Sequence, residues 1–459
     1  MAFRDLREFM SVLEETGDLQ YVHKEIDPRF ELGAIGRKLS RVHGPAVVFD
    51  NVKGYRHQVV MNVFGTTYRR VAMAVGCRED ELLKVWLERS RTFLEPRLVK
   101  TGSCQENVIA GKDVRLAEII PQILWNSTDG GAYITFALFF SKDPETCVGN
   151  MAMYRLMIAA ENRLRVDLKI PRHGAIAFHK AEGMNRPLEV AMVIGADPVL
   201  YLASQAPLPY GADELHLAGG LRGDPVEVVQ CKSVDLKVPA TAEIVLEGRV
   251  LPHVREMEGP FGEFTGHVGP ADMRPVIEVT AITYRSQPRY LCTYEGAPPT
   301  EGATIDSVTS SAELYHQIKQ RTAPTIKDAF FPPGGCSEFH AIVSLKKQAA
   351  GQAKNVILDI LRNQVIKSCV VVDEDIDIRD STQVEWAIAT RVRPDRDILI
   401  ISGVAGHPLD PVQRGSESSS KYGIDATIPF GMDFPDRAET DEDAARLVEA
   451  NWPEYFSSR

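Results

Sequence analysis

Residues 150–170 have the sequence NMAMYRLMIAAENRLRVDLKI, and this stretch decides the fold class. The first half, Asn150–Ala159, is mostly apolar, and the second half, Arg163–Ile170, alternates apolar with polar residues. Strict alternation is typical of a strand with one buried face, and the polar pair Glu161-Asn162 is typical of a turn. The stretch therefore predicts a β-hairpin.

Further strand-like segments surround this hairpin, and a single helix, predicted over Ala175–Glu182, interrupts them. The predicted strands are Tyr133–Ser141, Glu189–Ile194, Glu227–Cys231, Glu243–Leu246, Val276–Tyr284 and Arg289–Thr293. Many strands, few helices and frequent Gly and Pro turns favour a barrel or a sandwich for the middle of the chain.

The segment before this region mixes helices and strands. Helical spacing of apolar residues predicts helices, and short β-branched runs predict strands. The predicted helices are 3–16, Glu31–Val42 and Glu79–Phe93, and the predicted strands are Leu19–Val22 and Ala46–Phe49. The pattern indicates a small α/β unit that ends near residue 110.

The segment after this region begins with a predicted helix near Ser310, where Glu313 completes a capping box, and that helix stops before Pro324. Strands and helices then alternate: Ala341–Leu345, Ala353–Leu361, Ser368–Val372, Gln383–Ala389 and Asp397–Ile401. A βαβαβ order implies a parallel sheet. A last helix is predicted over Thr440–Ala450, before Trp452-Pro453.

Composition excludes several classes of protein. The 459 residues carry 52 Lys and Arg against 63 Asp and Glu, a formal net charge of −11, which argues against a nucleic-acid partner. No apolar run approaches the roughly 18–20 residues of a membrane helix, and the N-terminus lacks a signal core. A cytoplasmic protein without an integral membrane segment is expected.

Seven cysteines stand at positions 77, 104, 147, 231, 292, 336 and 369. The number is odd and no two form a CxxC, so free thiols are expected rather than a disulfide framework or a zinc site. P-loop, dinucleotide-binding, HExxH and GxSxG motifs are also absent.

The strongest local motif is Glu258-Gly259-Pro260-Phe261-Gly262-Glu263. Two glycines and a proline predict a tight turn that lets backbone approach a ligand, with a carboxylate at each end. Two neighbouring carboxylates do not both ionise cheaply, so one of them could stay protonated as a proton donor. A surface turn with two solvated glutamates is the alternative.

A second feature is the pair Asn150 and Arg155 in an otherwise apolar run. A buried Arg needs an anionic partner, either a carboxylate or a phosphate. Their odd separation puts the two side chains on opposite faces of a regular strand, so either the strand bulges or the residues face different parts of one ligand. A structural salt bridge is the alternative for Arg155.

Two further segments carry polar residues at predicted helix starts. Lys169-Ile170-Pro171-Arg172-His173-Gly174 precedes the helix at 175, where Arg172 and a helix N-terminus favour an anion. Asp213-Glu214 has the pattern of a helix start. Asn150, His173 and Glu214 together offer an O/N/O donor set suited to Mn²⁺ or Mg²⁺ beside a phosphate, although their spacing alone does not show that they converge.

In combination these motifs resemble the UbiD family of decarboxylases, which use prenylated FMN. The resemblance extends over nearly the whole chain. It rests on Asn150 and Arg155, Pro171-Arg172-His173-Gly174, residues 214–223 (ELHLAGGLRG), 258–263 (EGPFGE), 366–375 (IKSCVVVDED) and 420–427 (SKYGIDAT).

The resemblance implies an α+β fold. The implied units are an N-terminal α/β domain (1–110), a central split, flavin-binding-like β-barrel (111–308), a linker helix (309–325) and a C-terminal α/β domain with a terminal helix (326–459).

The resemblance also implies the site residues. Asn150, His173 and Glu214 match the family's metal ligands, which hold Mn²⁺ (or Mg²⁺), with K⁺ nearby, against the cofactor phosphate. Arg155, Glu258 and Glu263 match its catalytic network. The implied cofactor contacts are Asn150, Met151, Ala152, Met153, Tyr154, Arg155, Arg172, His173, Pro207, Glu214 and Lys367.

The implied function is reversible, non-oxidative decarboxylation of an aromatic, heteroaromatic or α,β-unsaturated carboxylic acid, with Glu263 as proton donor. A flavin prenyltransferase would supply the cofactor, and a homodimer or homohexamer is expected. The alternatives are an ordinary flavin redox protein on a split barrel and a non-catalytic scaffold. Intact Arg155, Glu258 and Glu263 speak against both, because these residues would then be idle.

Overall fold

The structure is a computed structural model that describes residues 3–336, 338–413 and 418–455. The elements before residue 120 are α1 Leu6–Glu15, β1 Leu19–Val22, α2 Glu31–Arg41, β2 Ala46–Phe49, β3 Gln58–Met61, α3 Tyr68–Val75, α4 Leu82–Arg89, β4 Arg97–Leu98, β5 Asn107–Ala110 and α5 Leu116–Ile119. The predicted helix over 3–16 is confirmed as α1, which buries Leu6, Phe9, Met10 and Leu13 on one face.

The middle of the chain is rich in strands, as predicted, but three helices lie among the strands where a single helix was predicted. Its elements are β6 Tyr133–Ile134, β7 Leu138–Lys142, β8 Gly149–Met153, β9 Leu156–Ala160, β10 Arg163–Val166, α6 His173–Gly183, β11 Leu188–Ile194, α7 Pro198–Ala203, α8 Glu214–Arg222, β12 Glu227–Gln230, β13 Lys237–Pro239, β14 Ile244–Glu258, β15 Phe261–Gly262, β16 Val268–Gly269, β17 Asp272–Tyr284 and β18 Arg289–Cys292.

The principal sheet has the strand order β6-β9-β10-β17-β14-β11-β7-β8, and β5 adds to β17. The predicted hairpin is confirmed, since β9 and β10 pair antiparallel. The predicted single strands over 133–141 and 150–159 are wrong, because each breaks into two strands that lie near opposite ends of the sheet.

Both breaks bring the ends of the sheet together. Residues 135–137 lead directly from β6 to β7, and residues 154–155 lead from β8 to β9. Connections of two and three residues span at most about 10–14 Å, so the two ends of the sheet lie close together. We call these two connections the seam. The described strands pair in an open path without a ladder across the seam, so the barrel stays a prediction.

The smaller sheets tie this region to the first part of the chain. β1 and β2 pair in parallel, β3 is antiparallel to β2, and β18 completes that sheet in parallel with β3. β4 similarly joins β12 and β13. One continuous apolar core therefore runs through both parts of the chain.

The remaining elements are α9 Glu301–Arg321, β19 Ile326–Phe330, β20 His340–Leu345, α10 Gln352–Leu361, β21 Ser368–Asp373, α11 Ser381–Arg391, α12 Pro394–Asp397, β22 Ile398–Val404, β23 Ser419–Ala426 and α13 Glu442–Tyr455. The predicted start of the linker helix at Ser310 is wrong. α9 begins at Glu301, where the Thr300 side chain accepts a hydrogen bond from the N–H of Ala303.

The last sheet has the order β19-β20-β21-β23-β22. β20, β21 and β23 are parallel, as a βαβ pattern requires, but the strand predicted at Asp397–Ile401 is antiparallel at the edge. β23 lies between it and β21, so the predicted fully parallel order is wrong. Apolar clusters cover both faces of this sheet. Among the described residues, no helix combines the length and apolar character needed to cross a membrane.

The tight packing of α8 gives a test of the fold. A Cβ atom at Gly220 would lie 1.7 Å from the carbonyl oxygen of Thr92. We expect Gly220→Ala to lower the free energy of unfolding by about 1–3 kcal/mol, because backbone atoms would have to move apart. Urea denaturation measures the change.

Gly183→Ala is the matched control, because a Cβ atom there meets nothing within 4 Å. That variant is expected to be neutral or slightly stabilising. Equal unfolding midpoints for Gly220→Ala and Gly183→Ala would contradict the packing described for α8.

Candidate active site

A cavity of about 470 Å³ opens at the seam, and we call it the seam cavity. Seam residues Thr135, Phe136, Tyr154 and Arg155 line it. Backbone at the seam is free of the strand ladder, so its side chains point to positions that a continuous sheet would not allow. The break at Tyr154-Arg155 also removes the strict alternation that separated Asn150 from Arg155.

The Arg155 guanidinium forms the centre of the site. Nε and Nη2 donate to the two carboxylate oxygens of Glu258 at 3.0 and 2.9 Å. Nη1 donates to Oε1 of Glu263 at 2.5 Å. Paired, charge-assisted hydrogen bonds of this kind fix the plane of the guanidinium as well as its position. The three residues of the predicted catalytic network therefore lie together.

The two glutamates have different environments. The Glu258 side chain is fully buried behind Arg155 and also accepts a hydrogen bond from the Tyr133 hydroxyl at 2.9 Å. Glu263 lines the seam cavity. The network thus combines one enclosed carboxylate with one that a ligand can reach.

The turn between the two glutamates is tied down from both sides. Gly259 has a φ of +89°, and the peptide bond to Pro260 is cis. The N–H of Gly130 donates to the Pro260 carbonyl at 2.8 Å, and the N–H of Gly262 donates to Asp129 at 2.9 Å. The predicted tight turn is confirmed, and the alternative of two solvated glutamates is wrong.

Burial and charge set the protonation of this network. Burial raises the pKa of Glu263 above its ordinary value, while the charge of Arg155 opposes that rise. Burial lowers the pKa of Arg155, but its hydrogen bonds to Glu258 and the charges of Asp167, Glu263 and Glu258 outweigh burial and raise the pKa overall. Arg155 is therefore a permanent cation beside a carboxyl group with enhanced proton affinity.

Asp167 is a third carboxylate on Arg155, and our sequence analysis did not single it out. Its Oδ2 lies 3.1 Å from Arg155 Nη1 and 3.0 Å from Lys169 Nζ, and its Oδ1 lies 2.8 Å from Arg274 Nε. Asp167 occupies a polar position of the alternating strand pattern, which normally indicates solvent. The seam cavity occupies that space instead.

A second cavity, of about 350 Å³, adjoins the first and lies against the starts of α6 and α8. We call it the helix-end cavity. Asn150, His173 and Glu214 all line it, so the predicted metal-ligand set is brought together. His173 Nδ1 lies 3.7 Å from Glu214 Oε1, and Glu214 Oε2 accepts the N–H of Met151 at 2.8 Å.

Asn150 supplies the third donor of this set. Its Oδ1 atom is buried without a hydrogen-bond partner, although buried carbonyl oxygens are normally satisfied. The described residues hold no group of three or more His, Cys, Asp and Glu side chains arranged for a metal, so a metal here requires the amide of Asn150. An unpaired oxygen, an imidazole and a carboxylate suit Mn²⁺ or Mg²⁺.

Arg172 lies between the two cavities and lines both. Its Nη1 donates to the Met153 carbonyl at 3.2 Å, and its guanidinium lies 5.8 Å from the centre of the Tyr154 ring. It caps α6 without any ion pair among the described residues. An anion at this helix start would meet both the charge of Arg172 and the positive end of the helix dipole.

The structure places the remaining predicted contacts as follows. Ala152 and Pro207 line the helix-end cavity, Met153 lines the seam cavity, and Met151 faces the site only through its backbone. Lys367 lines neither cavity, and its Nζ is held by Asp410 at 2.9 Å. Of the predicted cofactor contacts, Met151 and Lys367 are the two that line neither cavity, and Met151 is tied to the helix-end cavity by the hydrogen bond from its N–H to Glu214.

The far wall of the seam cavity carries polar groups that the sequence analysis missed. They are Glu295, Asp306, Glu338 and His407. Burial raises the pKa of Glu295 to about 8, and burial with the charge of Arg172 lowers that of His407 to about 4. No periodic pattern marks these residues, since they come from separate loops and from one face of α9.

Comparison with protein families covers most of the chain. Three models match in order, all for 3-octaprenyl-4-hydroxybenzoate carboxy-lyase: the N-terminal domain at residues 10–90, the Rift-related domain at 97–298 and the C-terminal domain at 303–426. These matches include every residue of the Arg155 network and of the predicted metal set.

Solved structures agree with the family models. HmfF of Pelotomaculum thermopropionicum, a UbiD-class enzyme solved with FMN, is 38% identical with a TM-score of 0.90, covering 97% of this chain and 99% of its own. Its evolved dimeric form, solved with prenylated FMN, is 37% identical with a TM-score of 0.88, covering 98% and 100%.

Vanillic acid decarboxylase of Sedimentibacter hydroxybenzoicus, solved in an open form, is 33% identical with a TM-score of 0.88, covering 100% of both chains. The neighbours include enzymes solved with FMN and with prenylated FMN, and decarboxylases of aromatic acids. The family matches and the likeness over the full length lead to one conclusion: the chain is a carboxy-lyase of the UbiD family of prenylated-FMN decarboxylases.

Proposed function

We propose that this enzyme catalyses reversible, non-oxidative decarboxylation of an aromatic, heteroaromatic or α,β-unsaturated carboxylic acid with prenylated FMN, and that Glu263 donates the proton. The observation that carries the proposal is the contrast within the network. Arg155 joins a fully enclosed Glu258 to a cavity-facing Glu263. A redox flavoprotein would have no use for this pair.

The helix-end cavity fits the phosphate of a flavin mononucleotide. Asn150, His173 and Glu214 would hold Mn²⁺ or Mg²⁺ there, with K⁺ nearby, and the metal would neutralise the phosphate. The unpaired Oδ1 of Asn150 supports this assignment, because a bound cation would satisfy it. Arg172 would add a second positive group at the start of α6.

The seam cavity would take the flavin ring and the substrate. Met153, Tyr154 and Arg155 would contact the ring from the seam, which the two neighbours solved with flavins make reasonable. Bound prenylated FMN supplies an electron sink for the electron pair that remains when CO₂ leaves.

The roles of the protein groups follow from their surroundings. Glu258 and Tyr133 fix Arg155 from behind, so that its Nη1 faces Glu263 at the cavity wall. Glu263, whose pKa is raised by burial, carries a proton more readily than a solvated glutamate does. It then acts as general acid toward the substrate carbon that has lost CO₂, and the resulting carboxylate regains a proton from water before the next decarboxylation. In the reverse direction the same carboxylate acts as the base that takes the proton from the substrate carbon.

The proposed partners extend beyond the substrate. A flavin prenyltransferase would supply the cofactor, and the enzyme would work in the cytoplasm as a homodimer or homohexamer. The exposed Leu447 on α13, at 60% of its free surface, supports a role for this helix in contacts between subunits.

Loss of the proton donor gives the first test. We expect Glu263→Gln to reduce decarboxylation by about 10²–10⁴-fold, because a general acid contributes that much, while flavin binding is kept. The measurements are CO₂ release by enzyme reconstituted with prenylated FMN and flavin absorbance after gel filtration. Glu256→Gln, two residues before Glu258 and bound to Arg165, is the control. Full activity of Glu263→Gln would contradict the proton-donor role.

Loss of the amide oxygen tests the metal assignment. Asn150→Ala is expected to weaken Mn²⁺ binding by at least about tenfold, measured by electron paramagnetic resonance of free Mn²⁺, and to weaken FMN binding in parallel. Asn162→Ala, on the hairpin turn between β9 and β10, should bind both as the unmodified protein does. Unchanged Mn²⁺ affinity in Asn150→Ala would rule out this site.

A further inference from the structure

The Asp167 carboxylate contacts Arg155 but does not belong to the network of Arg155, Glu258 and Glu263. It lines the seam cavity, and its side chain is only 10% exposed. A buried carboxylate is costly unless cations surround it, and Asp167 meets three of them: Arg155, Lys169 and Arg274. Arg155 Nη1 links Asp167 to the proposed proton donor, because the same nitrogen donates a hydrogen bond to Glu263.

We propose that Asp167 is a positioning residue that keeps Glu263 able to hold and donate a proton, by sharing Arg155 Nη1 with it and by binding Lys169 and Arg274. The inference rests on the proposed role of Glu263 as proton donor. It adds a residue to that role and does not alter the reaction.

The balance of charge supports the proposal. Three cations, Arg155, Lys169 and Arg274, face three largely buried carboxylates, Asp167, Glu258 and Glu263. A fourth carboxylate, Asp272, also pairs with Arg274, but it is 55% exposed and solvent screens its charge. Without Asp167, three cations would face two largely buried carboxylates, and ionised Glu263 would be the favoured form. Asp167 takes up this excess positive charge, so Glu263 is not forced to stay ionised. In agreement, Asp167 acts to raise the pKa of Glu263, whereas Arg155 and Lys169 act to lower it.

The geometry supports the same conclusion. Lys169 Nζ lies 3.0 Å from Asp167 Oδ2, so the ammonium is directed to Asp167. Arg274 approaches Asp167 from β17 and also pairs with the exposed Asp272 at 2.9 Å. Each cation near Glu263 is thus shared with another carboxylate.

Other titratable groups that line the seam cavity together with Glu263 include Glu295, Asp306, Glu338 and His407. The pKa of Glu295 is itself raised by burial and by the charges of Asp306, Glu301 and Glu263. Asp129 is held by the N–H of Gly262, and His267 directs its ring to the Thr265 carbonyl. None of these groups forms an ion pair with Arg155. Within the described part of the chain, the carboxylates that pair with Arg155 are Glu258, Glu263 and Asp167.

The test is the protonation of Glu263 in the full-length chain loaded with FMN and Mn²⁺. Infrared difference spectra follow the carbonyl band of a protonated carboxyl group during a pH titration, and the band is assigned by its loss in Glu263→Gln. We expect Asp167→Asn to move the midpoint to lower pH by about one unit, a tenfold loss of proton affinity. With prenylated FMN, kcat should fall at neutral pH and recover at lower pH, while KM changes little.

Two variants serve as controls for charge and shape. Asp272→Asn removes the same charge from a side chain that is 55% exposed and pairs with the same Arg274, and it should leave the midpoint unchanged. Asp167→Glu keeps the negative charge, so the midpoint of Glu263 protonation should stay close to that of the unmodified protein. A purely structural role of Asp167 would not produce this pattern.

If Asp167→Asn does not fold, Lys169→Met provides a second test of the same charge balance. Removal of this cation should move the midpoint to higher pH. An unchanged midpoint in Asp167→Asn, or in Lys169→Met when only that variant folds, would overturn the proposal. Failure of the proposed function is a separate result, because it would show as full turnover by Glu263→Gln regardless of the midpoints.

Discussion

A buried guanidinium must be paired with anions, and the pairing of Arg155 governs how the rest of the site is built. Glu258 and Glu263 come to it from either end of one tight turn, and Asp167 directly follows β10, the second strand of the hairpin. Arg155 itself lies on a two-residue connection at the seam. The position of the seam therefore fixes the proposed catalytic groups, and the seam cavity occupies the space where the strand ladder is interrupted.

Much of the fold could be predicted from the sequence, because short strands and amphipathic helices leave clear periodic patterns. The hairpin of β9 and β10 and the first helix show this. Two features left no such pattern. The break at Tyr154-Arg155 lies inside a mostly apolar run, and the first half of α9 is buried on several sides, so its residues lack a helical stripe. The reversed edge strand β22 depends on pairing with β23, which local sequence does not specify.

The parts of the candidate site that belong to a recognisable sequence motif could be predicted. Arg155, Glu258 and Glu263 lie together as the motifs indicated, and so do Asn150, His173 and Glu214. Asp167 and Glu295 were missed because each has the pattern of an ordinary polar position, and only the fold reveals that a cavity occupies the space beside it. Lys367 is the opposite case: a matching motif predicts a cofactor contact, but its side chain lines neither cavity and pairs with Asp410, so the contact stays a prediction.

We propose that one continuous site joins the predicted metal set at the helix starts to the Arg155 network at the seam. A crystal structure of the enzyme loaded with FMN and Mn²⁺, with anomalous data at the manganese edge, tests it most directly. We expect manganese bound by Asn150, His173 and Glu214 beside the FMN phosphate, with the flavin ring in the seam cavity next to Arg155 and Glu263. Manganese elsewhere, or a flavin ring outside the seam cavity, would contradict the account.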